Sequence, residues 1–360
     1  MPRCAYLHIP FCKQKCGYCA FVSYNMPEKQ AAYIEKLLVE IKSKYKGEML
    51  KTVYFGGGTP SLLEISQVEK ILNCLNFDEK TEITLEANPD SVNFEYLKAL
   101  KQCGINRLSL GVQSFDDKIL KIANRLHNAE QAVLAYNNAR KAGFDNINLD
   151  FIYGLPEQSA GGFKNDLKTA VSLNPEHISL YGLKIEEGTP FSKQKFTNIA
   201  DDDAQAEMYL AAIEILNDFE HYEFSNFARE GKFSRHNLNY WKNEEYYGFG
   251  AAAHGYIGGI RYSNFANLES YLKNPQKPEN QHEITLEERL EEEIFLGFRR
   301  CAGIDSEKIN RKFSINFDEK YVKILKKYEK TGHLIRTEKG WRLTTQGILV
   351  SNEILCEFLA

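Results

Sequence analysis

Short runs of apolar and β-branched residues recur along the first half of the chain, and amphipathic stretches separate them. The runs lie at residues 5–9, 52–55, 83–87, 107–112, 147–153 and 177–183. Helical spacing of apolar residues is clearest at residues 27–45 and 129–142. Strands that alternate with helices are typical of βα units and a parallel sheet. Six consecutive units predict a partial (β/α)6 barrel that is open on one side, with its chemistry on the loops that follow the strands.

The pattern changes after the sixth unit. One more helix, one more strand and then a Gly- and aromatic-rich segment are predicted at residues 202–217, 222–227 and 236–262. Residues 274–284 are polar, carry two prolines and predict a linker. We therefore expect a first domain at residues 1–273 and a smaller, mainly helical domain at residues 285–360. The second domain contains a predicted hairpin and resembles a winged-helix module.

Composition narrows the class of protein. The 360 residues are 43% hydrophobic and 26% charged, which is unlike a disordered, collagen-like or coiled-coil chain and suggests about two domains at ~150 residues each. The net charge of -4 provides no general attraction to nucleic acid, and none is expected as a partner. No apolar run approaches the ~18 residues of a membrane span, and no signal-peptide pattern is present. We expect a soluble, cytoplasmic protein.

Four of the eight cysteines lie within the first 19 residues. Cys12, Cys16 and Cys19 follow the first predicted strand with the spacing C-x3-C-x2-C. In a reducing compartment, such crowding indicates metal binding and not disulfides. Three soft ligands on one loop suit an iron–sulfur cluster whose fourth iron binds an exchangeable ligand. The alternatives are ordinary buried cysteines or a zinc site, although structural zinc usually requires a fourth Cys or His.

The segment YLHIPFCKQKCGYC at residues 6–19 resembles the radical S-adenosylmethionine (SAM) superfamily. Over essentially the whole chain, the sequence is similar to the group that contains oxygen-independent coproporphyrinogen III dehydrogenases and the HemW heme chaperones. The resemblance implies a radical SAM partial barrel. It also implies a [4Fe-4S] cluster held by Cys12, Cys16 and Cys19, with SAM chelating the fourth iron.

A glycine-rich turn, GGGTPS at residues 56–61, follows the second predicted strand, and polar residues stand at the ends of later strands. Glycines let backbone amides approach a polar ligand, and a following helix N-terminus favours a negative group. Carboxylates accept hydrogen bonds from hydroxyls or amines, whereas an arginine pairs with a carboxylate. The alternative for each is a polar group already satisfied at the barrel mouth. The resemblance assigns SAM contacts to Tyr6, Tyr18, Gly57, Gly58, Thr59, Glu86, Gln113, Arg125 and Asp150.

Two features distinguish the branches of this group. The dehydrogenases carry a further cysteine two residues after the third, where this chain has Phe21. They also carry an N-terminal extension, whereas this chain begins only a few residues before its first predicted strand. The segment HNLNYW at residues 236–241 matches the H-N-x-x-Y-W signature of the HemW branch. The resemblance therefore implies a heme chaperone. The alternatives are SAM-dependent oxidative decarboxylation of coproporphyrinogen III, and a barrel that only scaffolds other proteins.

A histidine beside large aromatic rings suits heme, because imidazole binds the iron and the rings cover the macrocycle. The heme candidates are His236, Tyr240 and Trp241. The alternative is a core histidine in an aromatic-rich segment. Heme, an acceptor protein and, if SAM is cleaved, an electron donor are the expected partners. No catalytic residue is predicted, and a carrier role is favoured over dehydrogenase activity.

Overall fold

The computed structural model describes residues 1–359. Six parallel strands form the body of the fold, and the bounds of each lie within two residues of those expected from the hydrophobic pattern. Each strand pairs with the next in the chain, so the order along the sheet follows the sequence. The strands are β1 (Cys4–Ile9), β2 (Thr52–Gly57), β3 (Glu82–Ala87), β4 (Arg107–Gln113), β5 (Ile147–Tyr153) and β6 (His177–Gly182).

Helices connect these strands and cover one face of the sheet. Leu37 and Ile41 of the first helix are fully buried in the main hydrophobic core, which also contains Val53 and Phe55 of β2. Side-chain caps fix several helix starts, as Asn128 does by accepting a hydrogen bond from the backbone of the third helical residue. The helices are α1 (Gln30–Lys44), α2 (Ile65–Leu72), α3 (Phe94–Gln102), α4 (Asp117–Ile122), α5 (Ala129–Lys141), α6 (Ala160–Ser172) and α7 (Asp202–Ile215).

The sheet extends beyond the six units at both edges. The prediction of one strand at residues 222–227 is wrong. The chain forms two short antiparallel strands there, β7 (Glu220–Glu223) and β8 (Asn226–Ala228). The second of them, β8, pairs with β6. The Glu223 carboxylate accepts hydrogen bonds from the Ser225 backbone and the Asn226 side chain, which stabilises the reversal. At the other edge, β9 (Tyr247–Phe249) pairs in parallel with β1.

The predicted linker is partly a strand. Residues 278–283 form an edge strand that pairs antiparallel with the strand before it. Pro278 is its first residue, a position at an edge where a missing N–H is tolerated. This part of the chain contains α8 (Arg235–Trp241), β10 (His254–Ile257), β11 (Ile260–Asn264), α9 (Leu268–Lys273) and β12 (Pro278–Glu283).

The C-terminal region has its own hydrophobic core, which includes Ile294, Phe298 and Trp341, and which Phe224 of the barrel joins. Its first helix starts at a capping box formed by Thr285 and Glu288. The elements are α10 (Leu286–Phe298), β13 (Ile304–Asp305), α11 (Ser306–Phe313), α12 (Phe317–Lys320), α13 (Val322–Lys330), β14 (Leu334–Arg336), β15 (Gly340–Leu343), α14 (Thr345–Leu349) and α15 (Ser351–Cys356).

Candidate functional site

The parallel strands present apolar side chains to the helices and polar side chains to the inside of the barrel. Val53, Leu85 and Leu108 are buried in the helix-covered core. Their alternate neighbours face the other way, since successive side chains of a strand point to opposite faces. Polar residues on β2 to β6 therefore line a cavity of about 440 Å³ at the mouth of the barrel: Tyr54, Glu86, Arg107, Ser109, Asn148, Asp150, Ser179 and Tyr181.

The cysteine loop after β1 lies over this cavity, and Cys12, Cys16 and Cys19 all line it. Arg125 Nη1 donates a hydrogen bond to Cys16 Sγ at 3.3 Å, and Thr59 Oγ1 donates to Cys12 Sγ at 3.4 Å. Burial raises the pKa of the Cys12 and Cys19 thiols. A bound metal reverses this effect, because metal ions bind the thiolate and release its proton.

Among residues 1–359, no three His, Cys, Asp or Glu side chains converge closely enough to hold a single metal ion. A [4Fe-4S] cluster has a different requirement, because each thiolate binds a separate iron and the sulfurs surround the group. Three thiols on one loop, facing one cavity with hydrogen-bond donors beside two of them, fit that requirement. The donor set therefore suits a cluster with one iron left for an exchangeable ligand.

His8 connects the start of the barrel to the end of the cysteine loop. Its Nε2 donates a hydrogen bond to the Val22 carbonyl at 3.0 Å, and Tyr6 OH therefore donates to Nδ1 at 3.0 Å. Burial lowers the pKa of His8, which favours the neutral ring. Tyr6 is held in this arrangement and does not line the cavity, in contrast to the other SAM candidates.

Arg125 is fixed at the edge of the cavity by hydrogen bonds from its Nη2 to Asn88 Oδ1 at 2.8 Å and to the Gly111 carbonyl at 2.7 Å. Two neighbouring residues have left-handed backbone conformations: Gln113 has φ 67° and Asn124 has φ 58°. Such conformations are costly for glutamine in particular and are often found at ligand sites. The Gln113 and Arg125 side chains both line the same cavity.

Glu86 and Asp150 place two carboxylates inside the barrel. Glu86 accepts hydrogen bonds from Tyr54 OH at 2.8 Å and from the Gly57 backbone at 3.2 Å. Asp150 accepts from Ser109 Oγ at 3.0 Å and from the Asn148 side-chain amide at 2.8 Å. Burial, strengthened by the nearby Asp150, raises the pKa of Glu86 to about 7, and burial also raises that of Asp150. Both carboxylates would gain from a ligand that donates hydrogen bonds or carries positive charge.

The structure thus brings most of the expected SAM residues to one place. Sequence reasoning missed the polar residues that line the cavity deeper in the barrel. Their signal was the regular alternation of polar residues in the strands. Strands of a parallel sheet are usually continuous apolar runs, so this alternation was unusual. The candidates that line the cavity are Tyr18, Gly57, Gly58, Thr59, Glu86, Gln113, Arg125 and Asp150.

His236 lies on α8, against the inner side of β2, and is 1% exposed. Its Nδ1 is hydrogen-bonded to Thr52 Oγ1 at 2.7 Å, and its Nε2 to Tyr240 OH at 2.8 Å. The ring also stacks on Tyr54 at a centroid distance of 5.0 Å. Burial lowers the pKa of His236 to about 3, with a smaller effect from the charge of Arg107. Both ring nitrogens are engaged in the structure as it stands, which is the geometry of a core histidine.

Tyr240 and Trp241 line a second cavity, of about 720 Å³, between the aromatic-rich segment and α10 of the C-terminal region. Tyr246 and Phe295 add further aromatic surface to it. His236 is not part of this lining. The three heme candidates are therefore adjacent in the fold, but only the two aromatic residues reach a cavity.

A three-cysteine loop at the mouth of a parallel partial barrel defines a radical SAM protein. In agreement, residues 6–170 match the model of the Radical SAM superfamily, and residues 284–350 match that of the HemN C-terminal domain. Heme chaperone HemW of Bacillus subtilis (strain 168) is 37% identical, with 99% of each chain covered. That of Lactococcus lactis subsp. lactis (strain IL1403) is 38% identical, with 99% of this chain and 97% of the relative covered. The chain belongs to the HemW family, as its motifs implied.

A solved structure confirms the fold over the full length. Coproporphyrinogen III oxidase (HemN) from Escherichia coli superimposes with a TM-score of 0.88, covering 99% of this chain and 90% of that one. At 23% identity, this similarity shows the fold and not the activity. Every helix within residues 1–359 is too short or too polar to cross a membrane.

Proposed function

We propose that this chain binds heme and transfers it to an acceptor protein in the cytoplasm, and that Cys12, Cys16 and Cys19 hold a [4Fe-4S] cluster to which SAM binds exchangeably. Full-length similarity to proteins named heme chaperone HemW supports the heme-carrying role. The observation that carries the cofactor assignment is the position of the three thiols around one polar cavity beside Arg125. A reducing cytoplasm would keep these thiols available as ligands.

When bound, the cluster can supply an electron, taken from an electron donor, to SAM. The chain's own residues orient the nucleotide. Arg125 offers a fixed guanidinium beside Cys16 for the carboxylate of the methionine moiety. Glu86 and Asp150 offer acceptors for the amino group and the ribose hydroxyls. Because the pKa of Glu86 is about 7, a cationic or hydrogen-bond-donating ligand would favour its ionised form.

The heme is placed against Tyr240 and Trp241 in the second cavity, where aromatic rings can cover an apolar macrocycle. Iron ligation by His236 requires its Nε2 to release the Tyr240 hydroxyl. The aromatic wall and the histidine are thus separate parts of this proposal, and each can be tested by its own variant.

An anaerobic hemin titration of the cluster-reconstituted chain, followed by Soret absorption, tests heme carriage. We expect saturable binding that Trp241→Leu weakens by about tenfold, equivalent to ~1.4 kcal/mol. Tyr240→Phe removes the hydroxyl that holds His236 Nε2 and should strengthen ligation if the imidazole binds the iron. His333→Ala, in the C-terminal region, is the matched histidine control and should leave the titration unchanged.

The absence of saturable hemin binding would contradict heme carriage. The dehydrogenase alternative is not favoured, because Phe21 occupies the position of the further cysteine and its side chain is 68% exposed to solvent. Anaerobic incubation with coproporphyrinogen III, SAM and a reductant should therefore yield no protoporphyrinogen.

A further inference from the structure

Arg107 is a buried cation without a partner. It is the first residue of β4 and is 2% exposed, yet its side chain lines the 440 Å³ cavity. Among residues 1–359, none forms an ion pair or hydrogen bond with its guanidinium, and its Nε is fully enclosed. Burial of an arginine under these conditions is costly, because the charge loses its hydration without compensation.

Other arginines in the barrel are compensated. Arg125, in the same cavity, donates to the Asn88 side chain and to the Gly111 carbonyl. Arg140 pairs with Glu176 at 2.8 Å. Arg107 therefore differs from these two arginines in one respect: its guanidinium lines a cavity and donates no hydrogen bond to the protein.

The carboxylates nearest to Arg107 do not neutralise it by contact. The positive charge of Arg107 opposes the rise in the pKa values of Glu86 and Asp150. No oxygen of either carboxylate, however, lies within ion-pair distance of the guanidinium. Their oxygens instead accept from Tyr54, Ser109 and other donors. The inside of the barrel thus contains a guanidinium whose N–H donors have no partner. It also contains two carboxyl groups that would repel a highly charged anion.

We propose that Arg107 binds the carboxylate of a second, small organic ligand that lies deeper in the barrel than SAM. Arg107 begins β4 and Gln113 ends it, so the guanidinium enters the cavity from the side opposite the cysteine loop. A guanidinium fork matches a carboxylate in two parallel hydrogen bonds. A singly charged carboxylate is favoured over a phosphate dianion because Glu86 and Asp150 share the compartment. The inference rests on the proposed function, which assigns the outer part of the cavity to SAM.

Equilibrium dialysis of radiolabelled propionate tests this site in the full-length, cluster-reconstituted chain, with and without saturating SAM. Propionamide is the uncharged control, and SAM binding is measured separately on the same samples. We expect wild type to bind propionate and not propionamide. Arg107→Met should weaken propionate binding by about tenfold, as expected for loss of a charge-assisted pair. Arg107→Lys should weaken it by less, because lysine keeps the positive charge but cannot form two parallel hydrogen bonds. Arg311→Met, on the surface of α11, is the matched control.

The variants are first compared with wild type by circular dichroism and thermal unfolding. Equal propionate binding by a folded Arg107→Met chain would overturn the proposal, as would tighter binding of inorganic phosphate than of propionate. The proposal would also be overturned if wild type bound no propionate and Arg107→Met lost SAM affinity by tenfold. Arg107 would then be a SAM-binding residue. If wild type binds no SAM but binds propionate through Arg107, the carboxylate site stands and the SAM assignment fails.

Discussion

Two buried polar clusters share the inner face of the barrel strands, one around the Arg107 guanidinium and one around the His236 ring. They differ in how completely these two groups are hydrogen-bonded. In the barrel cavity, Arg107 has no partner and Arg125 Nε is enclosed without one. Around α8, both nitrogens of His236 are paired with Thr52 and Tyr240. Unpaired buried groups are rare in folded proteins and mark places where a ligand completes the structure. From this comparison we expect ligand binding in the cavity and a structural role for the His236 ring.

The largest expected effect comes from removing a thiol at the cavity. Cys16→Ala should abolish assembly of the complete cluster, because no other cysteine lines the cavity beside Cys12 and Cys19. Iron content and visible absorption after anaerobic reconstitution measure this. Cys74→Ala is the control and should assemble the cluster normally. Full cluster content in Cys16→Ala would break the assignment of the cavity.

His236→Ala should destabilise the chain by about 2–4 kcal/mol, because it leaves an empty space between α8 and β2 and unpairs Thr52 and Tyr240. Denaturant unfolding measures this effect. At a temperature where the variant is folded, we expect its hemin affinity to remain within about threefold of wild type. A large loss of hemin affinity with unchanged stability would reverse the comparison and make His236 a ligand.

The two clusters should respond to pH in opposite directions. The pKa of Glu86 is raised from 4.5 to about 7 in the fold, so the native state favours its protonated form and loses stability as pH rises through this interval. The pKa of His236 is lowered from 6.5 to about 3, so stability is present above pH 6.5 and is lost as pH falls below it.

Substitution should remove each dependence separately. Without ligands, wild type should lose about 2–3 kcal/mol of unfolding free energy between pH 5 and 8, and Glu86→Gln should eliminate this loss. Between pH 7 and 5, His236→Gln should eliminate a loss of about 2 kcal/mol. Unfolding free energies measured across this range provide the comparison, and parallel pH profiles for a variant and wild type would contradict the corresponding burial argument.

The smallest effect concerns backbone strain at the cavity edge. Gln113→Gly should change stability by only about 1 kcal/mol or less, and in the stabilising direction, because glycine adopts φ 67° without steric cost. SAM affinity should fall because a cavity-lining side chain is lost. Val112→Ala, an adjacent buried position, is the control: it should lose stability and retain SAM affinity. Destabilisation by Gln113→Gly would show that its side chain supports the fold.

Local sequence patterns were sufficient for the barrel strands and for the loop of three cysteines after the first of them, because each depends on nearby residues. They were insufficient for residues 222–227 and 278–283. The first segment reverses because Glu223 satisfies the turn, and the second is a strand only because β11 offers it an edge. These outcomes depend on partners that are distant or that act through side-chain geometry, which periodicity does not encode.

The sequence by itself determined the alternation of strands and helices, the C-x3-C-x2-C loop and membership of the HemW family, because spacing and local chemistry carry that information. Only the tertiary structure decided which polar groups are paired. It enclosed both nitrogens of His236 with partners from two elements, and it left Arg107 facing a cavity without any. The physical reason is that the cost of a buried polar group depends on its neighbours in space, which the order of residues does not reveal.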